Sequence, residues 1–158
     1  MSTTTKSTVR TRVKAHYQKW GSHIVDTLTP KQRSAAMAAV AAKNTAPEIL
    51  VRKLLHGLGY RFRLHVKELP GSPDIVLPKW RSVVFVNGCF WHGHTCARGS
   101  APTSNVEFWQ QKIGKNRERD SRVRRELHKC GWRVLTVWQC ETKDSTRLEK
   151  IVVRFLSV

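Results

Sequence analysis

Pro70-Gly71-Ser72-Pro73-Asp74-Ile75-Val76-Leu77 and, after a basic turn, Val83-Val84-Phe85-Val86-Asn87-Gly88-Cys89-Phe90-Trp91-His92-Gly93-His94-Thr95-Cys96 determine the fold of this chain. Pro70-Gly71 and Ser72-Pro73 make a turn, Asp74 to Leu77 is a short strand, and Pro78-Lys79 turns it back. Val83 to Val86 has no polar break, so both of its faces are expected to be covered. That strand opens into thiols, imidazoles and large aromatic rings. A hard-cation site at Asp74 therefore lies close in sequence to a soft-ligand site at the cysteines.

Upstream, Tyr60-Arg61-Phe62-Arg63-Leu64-His65 alternates strictly and reads as a half-buried strand with Tyr60, Phe62 and Leu64 facing in. Thr45-Ala46-Pro47-Glu48 has the form of a capping box. The helix it starts carries Leu50, Leu54 and Leu58 on one stripe and ends at Gly57 and Gly59. Glu48 has two readings at this point: closing the cap, or serving a site. Thr29-Pro30 starts an alanine-rich helix over Lys31 to Lys43. Met37 lies in its middle, where the default reading of a methionine is core filler.

Downstream, Asn105 caps a long helix to about Cys130, with Val106, Trp109, Ile113, Val123 and Leu127 as its apolar stripe. Asn116 and Asp120 fall on the same stripe. Inward polar groups cost free energy unless partnered, so this face is expected to line a site. Arg133 to Trp138 reads as a further strand, and Ser145 to Leu156 as a helix packing Leu148, Ile151, Val152 and Phe155. The order helix, strand, strand, strand, helix, strand, helix predicts an α/β sandwich with a mixed sheet.

The chain has 158 residues, with 29 Lys and Arg against 11 Asp and Glu, a net charge of +18. Its length suits a single domain, expected over residues 26–158. The charge calls for a polyanionic partner, and nucleic acid comes first because phosphate neutralisation rewards dispersed cations. No basic helix with a greasy face favours a membrane surface, and no run approaches the roughly 18 apolar residues of a spanning helix. Residues 1–25 read as a basic, disordered arm, since Met1 to Trp20 contains no acid. A transit peptide fits it poorly, because no arginine-led amphipathic face is present. With no secretion signal, the four cysteines point to metal ligation rather than disulfides.

Cys89, His94 and Cys96, joined by Cys140 after the next strand, make a donor set for a closed tetrahedral zinc site. The alternative is buried free thiols beside a surface histidine. Cys130 reads as an ordinary small apolar residue. Asp74 could simply cap a turn. Alternatively, Asp74 and the carbonyl of Val86, at adjacent strand ends, could hold Mg²⁺. His92 is then the nearest free imidazole, a side-chain type suited to proton transfer near neutral pH. Phe90 and Trp91 are either core aromatics or rigid wedges for a base stack, and Trp109 shares that ambiguity.

Several motifs in order resemble the very-short-patch-repair (Vsr-type) DNA mismatch endonucleases. They are Arg33-Ser34-x-x-Met37, Thr45-x-x-Glu48, Gly71-Ser72-Pro73-Asp74, Asn87 to Cys96, Phe108-Trp109-x-x-Lys112-Ile113-Gly114-x-Asn116-x-x-Arg119-Asp120 and Gly131 to Cys140. The resemblance implies a restriction-endonuclease-like three-layer sandwich with a structural zinc site. It implies a Mg²⁺-dependent nick 5′ to the thymine of a T·G mispair left by deamination of 5-methylcytosine. By this carry-over Asp74 and Val86 hold Mg²⁺, His92 handles a proton, and Asp120 and Glu48 act through metal-bound waters. Cys89, His94, Cys96 and Cys140 hold Zn²⁺. Phe90, Trp91 and Trp109 wedge into the duplex from the major groove, Met37 enters from the minor groove, and Lys112 and Asn116 touch the mispaired bases. Where some members carry histidine, this chain has Asn87, which hydrogen-bonds but takes no proton at neutral pH. The expected partners are mispaired double-stranded DNA and downstream mismatch-repair proteins, for a monomer in a bacterial cytoplasm, associated with the nucleoid. Two other readings are a nuclease on the same scaffold with a different, restriction-type target and a zinc-stabilised DNA-binding protein without cleavage.

Overall fold

The computed structural model describes residues 19–20, 23–24, 26–40 and 43–157. Lys19–Trp20 (β1) and His23–Ile24 (β2) pair antiparallel at the end of the basic arm. The rest of the segment expected to be disordered lies outside the described residues.

Thr29 caps helix α1, Pro30–Ala38, through a reciprocal exchange with Gln32. This helix stops short of the expected Lys43. Its one buried residue is Arg33, so no apolar stripe ties further turns to the core. Helix α2, Ala46–Gly57, starts at Thr45 as expected and buries Glu48, Val51 and Leu55. Of the expected Leu50, Leu54, Leu58 stripe, Leu54 and Leu58 pack at the edge of the core and Leu50 does not. Leu50 is 47% exposed, because Glu48 is drawn inward at the start of the helix and sets which side faces the sheet. Gly59 then takes a φ of +84°, a conformation that glycine adopts at no steric cost.

The expected strand over residues 60–65 shrinks to β3, Arg63–Leu64, an edge pairing with β4, Ile75–Leu77. Leu64 is exposed rather than inward, and His65 breaks the alternation with a φ of +51°. A tight turn over Pro78–Trp80 leads from β4 into β5, Ser82–Asn87, which runs antiparallel to it. Helix α3, Val106–Lys129, then carries the chain across to β6, Arg133–Trp138. β5 and β6 pair in parallel from Ser82↔Arg133 to Asn87↔Trp138. The sheet order is β3-β4-β5-β6, and α4, Ser145–Leu156, closes the described chain.

Alternation along the strands divides the core in two. Ile75, Leu77, Val84 and Val137 pack with Val51 and Leu55 of α2 and Leu148, Val152 and Leu156 of α4. Val76 and Val83 face the other way, against Val123 and Leu127 of α3. Each such side chain contributes roughly 1.5–3 kcal/mol by leaving water. The result is the expected three-layer α/β sandwich around a mixed sheet, and it covers both faces of β5. On α3 the buried stripe begins at Trp109, since Val106 in the first turn is exposed. Cys130 is the exposed cap of that helix, not a packed apolar residue. Among the described residues, no helix is long and apolar enough to cross a membrane.

The turn before Asp74 is pressed onto α3. Gly71 has a φ of +73°, and a Cβ there would come within 2.4 Å of Val123. This contact fixes where β4 begins, and hence where Asp74 stands relative to the helix.

Candidate active site and metal centre

Asp74 sits just before β4. Its carboxylate accepts a hydrogen bond from the Val86 N–H at 2.8 Å, joining the ends of β4 and β5. Burial pushes this carboxyl above the ordinary aspartate range. The Val86 bond opposes the shift, as do the charge of Arg52 and that of His65 when its ring is protonated, and the charge of Glu48 adds to it. Glu48 meets its capping reading: Oε1 accepts from Thr45 Oγ1 at 2.7 Å and Thr45 N at 3.3 Å, and Oε2 from Asn44 N at 2.9 Å. Arg52, one turn on, donates to Oε2 at 2.8 Å. The same carboxylate that closes the helix is thus felt at Asp74.

β5 next delivers Asn87 and the loop that follows it. His92 Nδ1 bonds Asp120 Oδ2 of α3, and Asn87 Nδ2 lies 3.3 Å from the same ring nitrogen. A carboxylate can only accept, so Nδ1 carries the hydrogen, and in the neutral ring the lone pair then falls on Nε2. Burial pushes the Asp120 carboxyl up, but the bond and charge of His92 and the neighbouring Arg119 outweigh it and hold the group below the usual range. Asn116, the other inward polar residue of α3, donates from Nδ2 to the Trp91 carbonyl at 2.7 Å. Both polar positions on the α3 stripe therefore find partners in the loop after β5.

That loop also holds the sulfur cluster. The ligand atoms of Cys89, His94, Cys96 and Cys140 all lie within 4.8 Å of one another. Burial pushes the Cys89 thiol up to about 12, while a hydrogen bond with His94 pulls Cys96 down to about 6. Three thiols and one imidazole converging so closely fit a tetrahedral metal ion. The His94 ring stacks on Trp138 of β6, with centroids 4.3 Å apart. Gly99 completes the loop, for a Cβ there would fall 1.8 Å from the His94 carbonyl oxygen.

The aromatic residues form one pile. Phe90 packs edge-on to Trp91 at 5.1 Å and to Trp109 at 5.0 Å. Phe90 and Trp91 are partly exposed, whereas Trp109 is 0% exposed. In this DNA-free structure Trp109 forms the base on which Phe90 stands. Its indole N–H donates to Asp26 Oδ2 at 3.0 Å, and Asp26 also pairs with Arg33 Nε at 2.6 Å. Met37 and Lys112 are both half-buried.

Sequence reasoning passed over Asp26, Arg52 and His65. One signal was available: Glu48 and Arg52 stand four apart on a helix, a spacing at which opposite charges meet.

The comparisons with known proteins agree with this geometry. The family model for DNA mismatch endonuclease Vsr matches residues 25–98. A type II nicking enzyme of Xanthomonas oryzae, V.XorIIP, is 54% identical over 80% of this chain and 93% of its own length. This chain belongs to the Vsr family. Another relative, the type II nicking enzyme V.NmeAIP of Neisseria meningitidis, is 46% identical over 82% of this chain and 95% of its own. The DNA mismatch endonuclease Vsr of Escherichia coli is 46% identical over 73% of this chain and 74% of its own. As a Vsr-family member the chain is an endonuclease that acts on DNA.

Proposed function

We propose that this Vsr-family enzyme nicks double-stranded DNA 5′ to the thymine of a T·G mispair, with Mg²⁺ at Asp74 and Zn²⁺ in the cysteine cluster. The observation that carries the reading is the meeting of Asp74 with the end of β5, the strand whose following loop carries the His92–Asp120 pair. A strand residue directs its N–H and C=O to the same side. Since the Val86 N–H reaches Asp74, the Val86 carbonyl opens toward it as well. A Mg²⁺ ion bound there would activate water and offset charge developing on the phosphate. His92 takes the proton at Nε2, and Asp120 holds the ring in the required tautomer and steadies the cation that results. Asn87 flanks that ring without titrating, so proton transfer rests on His92. Glu48 contributes a fixed charge beside Asp74.

The Zn²⁺ ligands Cys89, His94, Cys96 and Cys140 tie the loop after β5 to the end of β6. They hold Phe90 and Trp91 as stiff wedges braced by Trp109. A wobble pair is already poorly stacked, so opening it costs less than opening a matched pair. Stacking on the inserted rings returns roughly 1–3 kcal/mol per base. Met37 approaches from the other groove, and Lys112 and Asn116 lie toward the mispaired bases. The relatives named for mismatch cleavage and for nicking support this reading.

The test is a plasmid carrying one T·G pair, incubated with Mg²⁺ or with chelator. Nicking at the mispair is expected with Mg²⁺ and not with chelator. Asp74→Ala and His92→Ala should each abolish most nicking while DNA binding persists. Nicking by Asp74→Ala at the parental rate would overturn the proposal. Binding without nicking by the parent would favour a DNA-binding protein that does not cleave.

A further inference from the structure

Arg52 sits beside the two acids Glu48 and Asp74 and is held on three sides. Its Nη1 donates to Asn44 Oδ1 at 2.6 Å, and its Nη2 donates to Glu48 Oε2 at 2.8 Å and lies 3.3 Å from His65 Nε2. A guanidinium cannot accept, so the third contact is a hydrogen bond only when His65 Nε2 carries a lone pair. Asn44 and His65 have φ values of +55° and +51°, in the left-handed region that asparagine and histidine enter more readily than most side chains. Two such backbone positions thus converge on one arginine. Yet among the described residues Arg52 Nε is buried with no hydrogen-bond partner. An unfinished buried donor is a poor arrangement for stability alone and calls for an explanation. The charge of Arg52 is felt at Asp74.

With Arg52 in place, Glu48 accepts from Asn44 N, Thr45 N, Thr45 Oγ1 and Arg52. A carboxylate has about four acceptor directions, so these four donors occupy it. We infer that Arg52 and His65 are positioning residues of the nicking site: His65 holds Arg52 as a neutral acceptor, and Arg52 withholds Glu48 from direct ligation, leaving Asp74 as the ion-holding carboxylate. The inference rests on the metal-dependent reading above. Removing Arg52 opens one acceptor direction on Glu48, whose charge is felt at Asp74. Two acids then grip a divalent ion more tightly, and in a place unsuited to the reaction.

The experiment uses Arg52→Met, His65→Leu and His65→Gln in the full chain, with Mn²⁺ as the probe ion. Mn²⁺ binding to the DNA-free protein is followed by water proton relaxation, and nicking is followed at saturating Mg²⁺. Arg52→Met should bind Mn²⁺ at least about threefold tighter, since a nearby cation is lost and an acid is released. It should nick about tenfold more slowly, with KM little changed. His65→Leu should shift both quantities in the same directions, and His65→Gln, which restores an acceptor, should recover most of the loss. Adding Glu48→Gln to Arg52→Met should remove the gain in Mn²⁺ affinity. Unchanged or weaker Mn²⁺ binding in Arg52→Met, or failure of His65→Gln to recover, would overturn the inference. Should Arg52→Met unfold, the two His65 variants decide it. If the parent fails to nick T·G DNA with Mg²⁺, the functional reading falls, while the Mn²⁺ comparison still tests the clamp.

Discussion

Asp26–Arg33 and Glu48–Arg52 are the same chemical pair in two settings. Asp26 is saturated: its carboxylate accepts from Arg33 Nε, Trp109 Nε1, the Leu28 N–H and, at 3.4 Å, Asn105 Nδ2. Arg33 in turn spends a second donor on the Leu28 carbonyl at 2.8 Å. Ser104 Oγ and the Asp26 backbone complete the join between the chain before α1 and the start of α3. At Glu48 the carboxylate is also satisfied, but its arginine keeps a buried donor unpaired and a second acid stands within electrostatic reach. A closed set of partners marks a structural lock. An open valence beside like charge marks a place where something else is to bind.

Three stability measurements would break or sharpen that contrast. The largest effect is expected for Asp26→Asn, which strands Arg33 in a buried position and should cost about 3 kcal/mol by denaturant unfolding. Its pH dependence has a definite sign. Burial pushes the Asp26 carboxyl up, but Arg33, the Leu28 N–H and Trp109 together hold it below the ordinary 3.8. The parent therefore has this stability above that value and loses it as pH falls through the lower folded value. The gap between parent and variant should stay full at neutral pH and close in strong acid. Glu48→Ala should cost less, about 1–2 kcal/mol, as expected for loss of a helix cap. A loss equal to that of Asp26→Asn would erase the distinction between lock and site. Smallest is Arg119→Ala: this side chain is 54% exposed beside Asp120, so its loss should move stability by less than about 1 kcal/mol. A larger drop would mean that Asp120 depends on Arg119 as well as on His92.

Much of this molecule was legible in the order of its residues, and the exceptions share a cause. Unbroken apolar runs located β4 and β5, and the capping boxes at Thr29 and Thr45 located two helix starts, because those signals are local. The sulfur ligands were legible because few other roles bring three thiols and an imidazole together. Helix faces were less so. Leu50 reads as core on any apolar count, yet the inward pull on Glu48 rotates it to solvent. Leu64 was misassigned because a single left-handed residue, His65, ends the alternation, and no local pattern announces such a φ. Trp109 resembles its neighbours Phe90 and Trp91 by type, and its separate role depends on Asp26, a residue distant in sequence. Arg52 looks like an ordinary solvated helix charge until Asn44 and His65 are brought to it from two different loops.

The parallel pairing of β5 with β6 has a consequence for how the protein reaches its native state. An ion shared by Cys89 and Cys140 closes a loop that contains all of α3. Closing so long a stretch of chain is slow unless the intervening helix has already shortened the distance. Metal capture is thus expected at the end of folding, as a latch that would drop once the crossover is built. In refolding experiments the thiol–metal absorbance, followed with Co²⁺ as a reporter, should lag behind the recovery of helical signal.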